Sequence, residues 1–256
     1  ALADIDRLEE RFLAHPALAI EQSRLTIDSM ARQAQDNILS AFSLLDKFSD
    51  EQFAALQEDE EAIDHYEDKL GTFLVKLSSR SLSIADSRKV SNMLHTIGDF
   101  ERLGDHAVNL RKTAEEIHDK HIVFSEDAVK ELQNLTNALT EILELTIDAF
   151  SEHNLEMARH VEPLEQVIDC LISAAKSTHV ERLQSGKCTI QNGFVLNDLL
   201  TNYERVSDHC SNIAVSLIET SAGSFDTHEY LSEVKEGGSK DYTDLYHAYT
   251  KKYALQ

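Results

Sequence analysis

A short acidic motif occurs twice in this chain, and its repetition constrains the fold more than any other feature. Residues 100–106, FERLGDH, recur as residues 203–209, YERVSDH, 103 positions later. Upstream, residues 60–64 recur as residues 165–169, 105 positions later. Two segments that repeat at nearly the same offset indicate two copies of one unit, with a boundary near residues 120–125.

Each copy is predicted to consist of three long helices. Apolar residues step by three and four along residues 27–45 and 132–149, a pattern typical of amphipathic helices. Because the 256 residues include only 8 glycines and 2 prolines, the chain has too few turn formers for a β-sandwich or barrel. Six main helices are predicted at residues 17–48, 50–78, 86–120, 126–152, 154–184 and 189–222.

These signals divide the chain into four parts. The parts are an N-terminal lead-in helix at residues 1–16, a first three-helix repeat at 17–122, a second at 123–222 and a helical tail at 223–256. A glycine pair at residues 237–238 interrupts the tail. Beyond that pair, tyrosines at helical spacing predict an amphipathic helix that packs on the bundle or, alternatively, binds a partner. They are Tyr242, Tyr246, Tyr249 and Tyr253.

The charge of the chain is strongly negative. It has 46 acidic and 24 basic side chains and a formal net charge of −22 at neutral pH. Such a chain should repel the phosphates of nucleic acids and of anionic lipids, so nucleic acid is disfavoured as a partner. The 3 cysteines form no CxxC motif, which disfavours a disulfide framework and favours the reducing cytoplasm.

The sequence predicts neither a membrane-spanning segment nor a signal peptide. No apolar stretch approaches the roughly 18 residues that span a bilayer, and no signal-peptide pattern is present. The chain starts with Ala1 rather than Met, so we expect a fragment whose missing N-terminal part could contain membrane spans. The cytoplasmic expectation therefore concerns this segment alone.

Four pairs of acidic residues with the spacing Glu-x-x-x-Asp accompany the repeat. Residues four apart on a helix share a face, with Cβ atoms roughly 5–6 Å apart, so each pair presents two carboxylates together. A single pair of this spacing is weak evidence for a functional site, because a chain with this many acidic residues contains about eight acid-x-x-x-acid pairs by chance. The pairs are Glu60/Asp64, Glu101/Asp105, Glu165/Asp169 and Glu204/Asp208.

The positions of these pairs fit two antiparallel hairpins. Residues that face each other in such a hairpin have numbers with a constant sum. The pairs satisfy this rule with turns centred near residues 82–83 and 186–187, where the helical pattern is interrupted independently. The rule places Glu60 opposite Asp105, Asp64 opposite Glu101, Glu165 opposite Asp208 and Asp169 opposite Glu204. Four carboxylates are therefore expected to converge in each copy.

Converging carboxylates require cations, because neither repulsion nor desolvation lets all four remain charged and unpaired. Oxygen ligands suit hard ions such as Fe(III), Mn(II), Mg(II) or Ca(II). The alternative is a salt-bridge network in which Arg102 and Arg205, each directly after a motif Glu, pair with acids across the hairpin. His106 and His209 follow the motif Asp, and we expect them to be hydrogen-bonded or solvated rather than ligands.

Other chemistries find little support in the sequence. A ferritin-like di-iron site needs two Glu-x-x-His motifs on facing helices, and only Glu115 with His118 has that spacing, outside the repeat. HExxH, GxSxG and glycine-rich phosphate loops are absent. Cys170 and Cys210 lie on predicted helices, where each is expected to be a small buried side chain. No catalytic residue is predicted.

The duplicated motif carries a resemblance to a known family. Residues 99–105, DFERLGD, and 202–208, NYERVSD, with an acidic pair upstream of each, resemble the PhoU family of phosphate-transport regulators. The wider context looks most like the cytoplasmic PhoU-like domain that follows the membrane spans of bacterial sodium-dependent phosphate cotransporters. The segments that carry this context are residues 76–80, 94–98, 194–198 and 226–230. The resemblance covers roughly residues 17–256.

The resemblance implies a fold and a metal site. It implies an all-α, six-helix bundle made of two tandem pseudo-symmetric three-helix repeats plus a C-terminal helical tail. It also implies multinuclear metal clusters on the bundle surface, with iron as the metal and manganese, magnesium, calcium or zinc as alternatives. Carried over by position, the ligands are Glu60, Asp64, Glu101, Asp105, Glu165, Asp169, Glu204 and Asp208. Asn202 stands where the first copy has Asp99, so the two sites need not be equally occupied.

The resemblance further implies a regulatory role without catalysis. The chain would control phosphate uptake as the cytoplasmic part of a sodium/phosphate cotransporter, attached to the inner face of the cell membrane through its missing N-terminal region. Its partners would be a membrane phosphate transporter, either that missing region or a separate subunit, in some members a sensor kinase, and a second copy in a homodimer. The alternatives are a free-standing regulator of phosphate transport, a structural adapter bundle, and a carboxylate-bridged metalloenzyme.

Overall fold

The computed structural model describes residues 2–221 and 240–255, and every secondary-structure element in them is a helix. Two short 3-10 helices, Leu2–Arg7 and Glu10–Ala14, occupy the place of the lead-in helix. The α-helices of the described residues are α1 (Pro16–Asp46), α2 (Asp50–Ser78), α3 (Ile84–Asp119), α4 (Glu126–Glu152), α5 (Leu155–Gln184), α6 (Ile190–Ser221) and α7 (Lys240–Lys252). The predicted all-α helical bundle is confirmed, and the predicted ends of the six main helices lie within two residues of the observed ones.

Some sequence predictions fall on parts of the tail that are outside the described residues. These are the glycine pair at residues 237–238 and the segment 226–230. Within the described ranges, no helix is both long enough and apolar enough to span a membrane.

Local capping explains where several helices begin and end. The Ser49 hydroxyl accepts a hydrogen bond from the Gln52 backbone N–H at 3.3 Å, as their spacing predicts. Ser125 caps α4 in the same way through the Ala128 N–H at 3.2 Å. A side-chain cap of this kind satisfies a backbone donor that the first helical turn leaves unpaired. At its other end, α4 stops at His153, whose φ of 52° is left-handed.

The chain forms two compact units. Unit 1 comprises Ala1–Ala41 and Ser49–Val108, and unit 2 comprises Phe42–Phe48 and Asn109–Gln256. Helices α1 and α3 therefore each contribute residues to both units. The units are defined by proximity in space and the repeats by matching sequence, so the repeat boundaries at residues 122 and 222 stay predictions.

Unit 1 is held by the apolar faces of α1, α2 and α3. Where α2 and α3 meet, a Cβ added to Gly104 would lie only 2.9 Å from Ile63 Cγ2. Between α1 and α2, the Asn37 amide donates to the Asp59 backbone carbonyl at 3.2 Å. The fully buried side chains include Ile27, Met30, Ile38, Leu70, Leu74, Phe100 and Leu103. The close approach at Gly104 shows that the first predicted hairpin, α2–α3, is formed.

Unit 2 has its core between α4, α5 and α6, which all pack against one another. Its fully buried side chains include Leu139, Ile142, Leu143, Ile168, Val206 and Cys210. Helices α5 and α6 make the most extensive pairing, as the second predicted hairpin requires. The buried position of Cys210 agrees with its prediction.

The tyrosine-bearing helix α7 packs on α5. The Tyr253 ring, just beyond α7, is only 5 % exposed, and its backbone carbonyl accepts a hydrogen bond from Asn134 at 2.7 Å. Lys252 pairs with Glu141 of α4. The described part of the tail therefore takes the packed arrangement. Cys170 lies on the α5 surface near the Tyr246 hydroxyl and is exposed, so the prediction that it is buried was wrong.

Candidate metal centre

Helices α5 and α6 bring three acidic side chains of the second repeat together. Carboxylate oxygens of Glu165, Asp169 and Asp208 all lie within 4.8 Å of one another. Glu165 and Asp169 share one face of α5 because they are four residues apart, and Asp208 approaches them from α6. We call these three residues the acidic cluster. In residues 2–221 and 240–255, it is the one group of three or more His, Cys, Asp or Glu side chains that meets at this distance.

A glycine near the hairpin turn lets α5 and α6 approach closely enough to form this cluster. A Cβ added to Gly193 would lie 3.0 Å from Leu183 Cδ2 and 3.2 Å from the His179 ring. Because these contacts fix which residues of the two helices face each other, they also set the register that brings Asp208 to Glu165. The predicted pairing of Glu165 with Asp208 is thus present in the structure.

The carboxyl groups of the acidic cluster are held out of water and close to like charge. Glu165 is only 5 % exposed. Burial raises the pKa of Glu165, and the nearby Glu162, Asp169 and Asp208 raise it further. Burial likewise raises the pKa of Asp208, with Asp169 and then Glu204 adding to the effect. Groups in this environment keep a proton or take up a cation in its place.

Glu204, the fourth predicted ligand of the second repeat, is paired with a lysine. Its Oε2 lies 2.9 Å from Lys176 Nζ, and both side chains are more than one-third exposed. Burial raises the pKa of Asp169 and the charge of Glu204 raises it further, whereas a hydrogen bond with Glu165 and the charge of Lys176 oppose the rise. The sequence analysis missed Lys176, although it follows Asp169 by seven residues, which is two helical turns along the same face of α5.

A second residue that the sequence analysis missed is Glu162. It is 4 % exposed, its Oε1 accepts a hydrogen bond from Gln166 at 3.1 Å, and its other oxygen accepts one from the Ser211 hydroxyl. The sequence feature that could have identified Glu162 is its position three residues before Glu165, which makes the two residues neighbours on α5. The first copy has Gln57 at the matching position, so comparison of the two copies could not find it.

The predicted acids of the first repeat are arranged differently. Glu101 is half-buried, and burial raises its pKa, with Asp105 and then Glu67 adding to the rise. Asp64 and Asp105 are exposed and Glu60 is half-buried. Among the residues that the structure describes, these four acids do not meet as closely as the acidic cluster does.

The packing of α2 against α3 departs from the expected register at one contact. The contact of Gly104 with Ile63 places the residue opposite Glu101 near position 66, two positions beyond the predicted Asp64. Glu67, three residues after Asp64, is the acid of α2 whose charge raises the pKa of Glu101, after Asp105 on the same helix as Glu101. The sequence could have suggested Glu67 only if the register had been known.

In residues 2–221 and 240–255, the arginines of the motif form no salt bridge with acids across the hairpins, which the salt-bridge alternative expects. Arg102 Nη1 lies 2.9 Å from Asp99 Oδ1, one turn back on its own helix, and the Asp99 side chain is 3 % exposed. In the second repeat, Asn202 takes the place of Asp99 and donates to the Asp198 backbone carbonyl at 2.9 Å. Arg205 lowers the pKa of Asp208, but less than burial raises it. The motif acid Glu204 pairs instead with Lys176 of α5.

The acidic cluster fits a hard metal ion. Its three side chains offer only carboxylate oxygens, the ligand type that iron(III), manganese, magnesium and calcium prefer over softer sites. Burial and the neighbouring acids raise the pKa values of Glu165 and Asp208, and a bound metal ion would offset the repulsion among these acids. Zinc fits less well, because its structural sites usually include nitrogen or sulfur ligands.

Comparisons of the chain with curated proteins find relatives of one kind. A phosphate-specific transport system accessory protein PhoU homolog from Clostridium acetobutylicum is 23% identical over 202 residues, which cover 78% of this chain and 90% of that protein. A homologue from Thermotoga maritima with the same description, numbered 1, is 25% identical over 150 residues, which cover 59% of this chain and 63% of that protein.

Solved structures and a family model agree with these relatives. The crystal structure of PhoU from Pseudomonas aeruginosa matches with a TM-score of 0.73 at 20% identity, over 83% of this chain and 100% of that one. The phosphate transport system regulatory protein PhoU from Streptococcus pneumoniae matches with a TM-score of 0.72 at 17% identity, over 83% and 99%. The family model described as the PhoU domain matches residues 27–114 and 125–217. Because these two segments make up more than half of the 256 residues of this chain, the chain belongs to the PhoU domain family.

Proposed function

We propose that this chain is a regulatory accessory protein of a phosphate transport system and has no catalytic activity of its own. The observation that carries the proposal is the PhoU domain, which matches both repeats. The curated relatives are accessory proteins of phosphate-specific transport systems, and the chain spans 90% of the relative from Clostridium acetobutylicum. These relatives support a separate regulator better than the sodium/phosphate cotransporter domain that the sequence resemblance favours.

The proposed partner is a membrane phosphate transporter, whose uptake the chain restrains or tunes. The decisive experiment compares phosphate uptake in cells with and without the gene, at low and at high external phosphate. We expect uptake in cells that lack the gene to stay high when phosphate is abundant, and expression of the chain to restore restraint. Equal uptake in both strains under both conditions would overturn the proposal.

We also propose that the acidic cluster binds a metal ion, with Glu165, Asp169 and Asp208 as ligands and Glu204 as a further ligand when Lys176 releases it. Iron is the metal that the family resemblance favours. A bound cation would neutralise the cluster and link α5 to α6. Glu162, which accepts a hydrogen bond from the Ser211 hydroxyl, lies close to Glu165 and adds negative charge to the proposed metal site.

A metalloenzyme is the weaker candidate. Unit 2 contains a cavity of about 830 Å³, but its lining includes none of the acids of the acidic cluster. A hydrolase or oxidase would require substrate space beside its metal. Turnover of a phosphoester or of O₂ that disappears in the Asp208→Asn variant would establish this alternative.

The structural-adapter hypothesis and the cotransporter-domain hypothesis are tested by different measurements. If the acids serve only in salt bridges, chelators leave the melting temperature of the purified chain unchanged, since no ligand of the folded state is removed. If the chain is part of a cotransporter, the gene upstream of Ala1 encodes several apolar segments of about 20 residues. An initiator Met close to Ala1 would instead support the separate regulator.

A further inference from the structure

The tip of the α2–α3 hairpin has the opposite charge to the chain as a whole. Residues 69–98 contain five basic side chains and one acidic one, whereas the whole chain has 24 basic and 46 acidic residues. The basic residues are Lys69, Lys76, Arg80, Arg88 and Lys89, and the acid is Asp86. We call residues 75–90 the basic tip.

The basic tip also exposes aliphatic side chains. Ile84 is 74% exposed and Val75 is 58% exposed, on either side of the turn that joins α2 to α3. Arg80, Arg88 and Lys89 are exposed around them. Among the residues that the structure describes, Glu10 from outside the tip pairs with Lys76, and its charge also interacts with that of Arg80. Basic residues therefore outnumber acidic ones at the tip even when Glu10 is counted.

The equivalent tip of the α5–α6 hairpin provides an internal comparison. It too exposes apolar side chains, with Ile190 at 73% and Phe194 at 70%. Residues 172–201 contain three basic side chains and two acidic ones, and two of the bases face acids: Lys176 pairs with Glu204 at 2.9 Å and Arg182 with Glu131 at 3.2 Å. The excess of basic over acidic side chains is therefore larger in the first hairpin, where it is five to one.

We propose that the basic tip docks on an anionic phospholipid surface. Arg80 and Lys89 contact lipid phosphates, and Ile84 and Val75 enter the interface between headgroups and acyl chains. Each basic residue near an anionic leaflet strengthens binding by about fivefold, and partly buried aliphatic groups add to it. The acidic remainder of the chain is repelled by the same surface, so the molecule approaches tip first.

A bilayer fits these features better than nucleic acid or an acidic protein does. A phosphate backbone offers little to exposed Ile and Val, and the tip has no aromatic side chain on which bases could stack. An acidic protein partner would leave the two aliphatic side chains without an apolar environment unless it brought its own. The combination of fixed basic charge and unpaired aliphatic surface is typical of peripheral membrane contacts.

The test is cosedimentation of the full chain with vesicles of phosphatidylcholine alone or with about 30 mol % phosphatidylglycerol. We expect binding only to the anionic vesicles, weakened at high salt. The variant Arg80→Glu/Lys89→Glu should lower the partition coefficient at least about tenfold. Ile84→Ser alone should lower it severalfold.

The matched control carries the same charge change in unit 2, at the exposed Lys112 and Lys130. Lys112→Glu/Lys130→Glu should bind anionic vesicles within about twofold of the wild type, because these residues lie outside the tip. Circular dichroism verifies that each variant is folded. Failure of the wild type to bind anionic vesicles, with or without EDTA, overturns the proposal. So does equal loss in the control variant, or binding to polyglutamate without binding to vesicles, which would identify an acidic protein as the partner.

Discussion

Gly104 of α3 lies against Ile63 of α2 so closely that a Cβ at position 104 would come within 2.9 Å of Ile63 Cγ2. In the second repeat, the matching position holds Ser207, a fully buried side chain. The two hairpins therefore do not pack identically, although their motifs match. The need for glycine is specific to the first repeat.

Gly104→Ala should destabilise the chain. Ala favours the helix by about 1 kcal/mol relative to Gly, but overpacking against Ile63 costs about 1–3 kcal/mol. We expect a net loss of unfolding free energy, measured by urea denaturation. The control is Gly71→Ala in α2, where an added Cβ meets nothing within 4 Å. That variant should be neutral or slightly more stable, and an equal loss in both variants would contradict the argument.

His179 should make stability fall on mild acidification. Burial lowers its pKa below the ordinary 6.5, and Arg182 lowers it further. The unfolded chain then binds the proton more readily than the folded chain does. The stabilising contribution is complete above about pH 6.5 and is lost as pH falls through the lower pKa of the folded state. Thermal melts of wild type and His179→Gln between about pH 7.5 and 5 test this, since the variant should lack that slope. His65→Gln, at an exposed position of α2, is the control and should keep it.

Glu165 should have the opposite effect in metal-free protein. Its pKa is raised by burial and by Glu162, Asp169 and Asp208, so the folded chain holds the proton more tightly than the unfolded chain. The stabilising contribution is present below the unfolded pKa of about 4.3 and is lost as pH rises through the folded value. In EDTA, Glu165→Gln should therefore be more stable than wild type at neutral and alkaline pH, and the difference should vanish near pH 4. A difference that grows towards low pH would contradict this assignment.

Metal binding should raise the melting temperature through the acidic cluster. We expect added iron or manganese to stabilise the wild type, because a ligand of the folded state shifts the folding equilibrium. Asp208→Asn should remove most of the shift, as it takes one carboxylate from a three-carboxylate site. Asp198→Asn, at an exposed position of the same helix, should leave the shift intact. Elemental analysis of the three purified proteins provides a second readout.

Lys176→Gln should strengthen metal binding. Lys176 neutralises Glu204 at 2.9 Å and competes with any cation for the cluster. Its removal should tighten the metal Kd by about fivefold, the effect expected for one charge at a partly exposed site. Isothermal titration of wild type and variant measures the change. Weaker binding by the variant would show that Lys176 supports the site instead.

The helices could be predicted from the sequence because their signals are local. The apolar spacing and the Ser49 and Ser125 caps act within a few residues, and they gave helix ends within two residues of the observed ones. The meeting of Glu165 with Asp208 was predictable because the repeat constrained the hairpin twice.

The remainder of the site depends on packing that no local pattern encodes. In the first hairpin, Glu67 rather than Asp64 is the acid of α2 whose charge acts on Glu101. The net charge of the chain does not predict where its basic residues lie, because a total of −22 is compatible with a local excess of basic residues such as the basic tip. Whether a given Lys or Arg faces an acid, as Lys176 does, is decided by side-chain geometry.

The C-terminal end of α7 has a consequence for proteolysis. None of the described residues of α7 is fully buried, and its buried anchor, Tyr253, follows the helix rather than belonging to it. Proteolysis that removes Tyr253 would therefore take away the one buried side chain among residues 240–255 and weaken the attachment of α7 to α5. Cys170 is already exposed, but it would then lose its contact with the Tyr246 hydroxyl, so faster reaction with thiol-labelling reagents would identify a clipped sample.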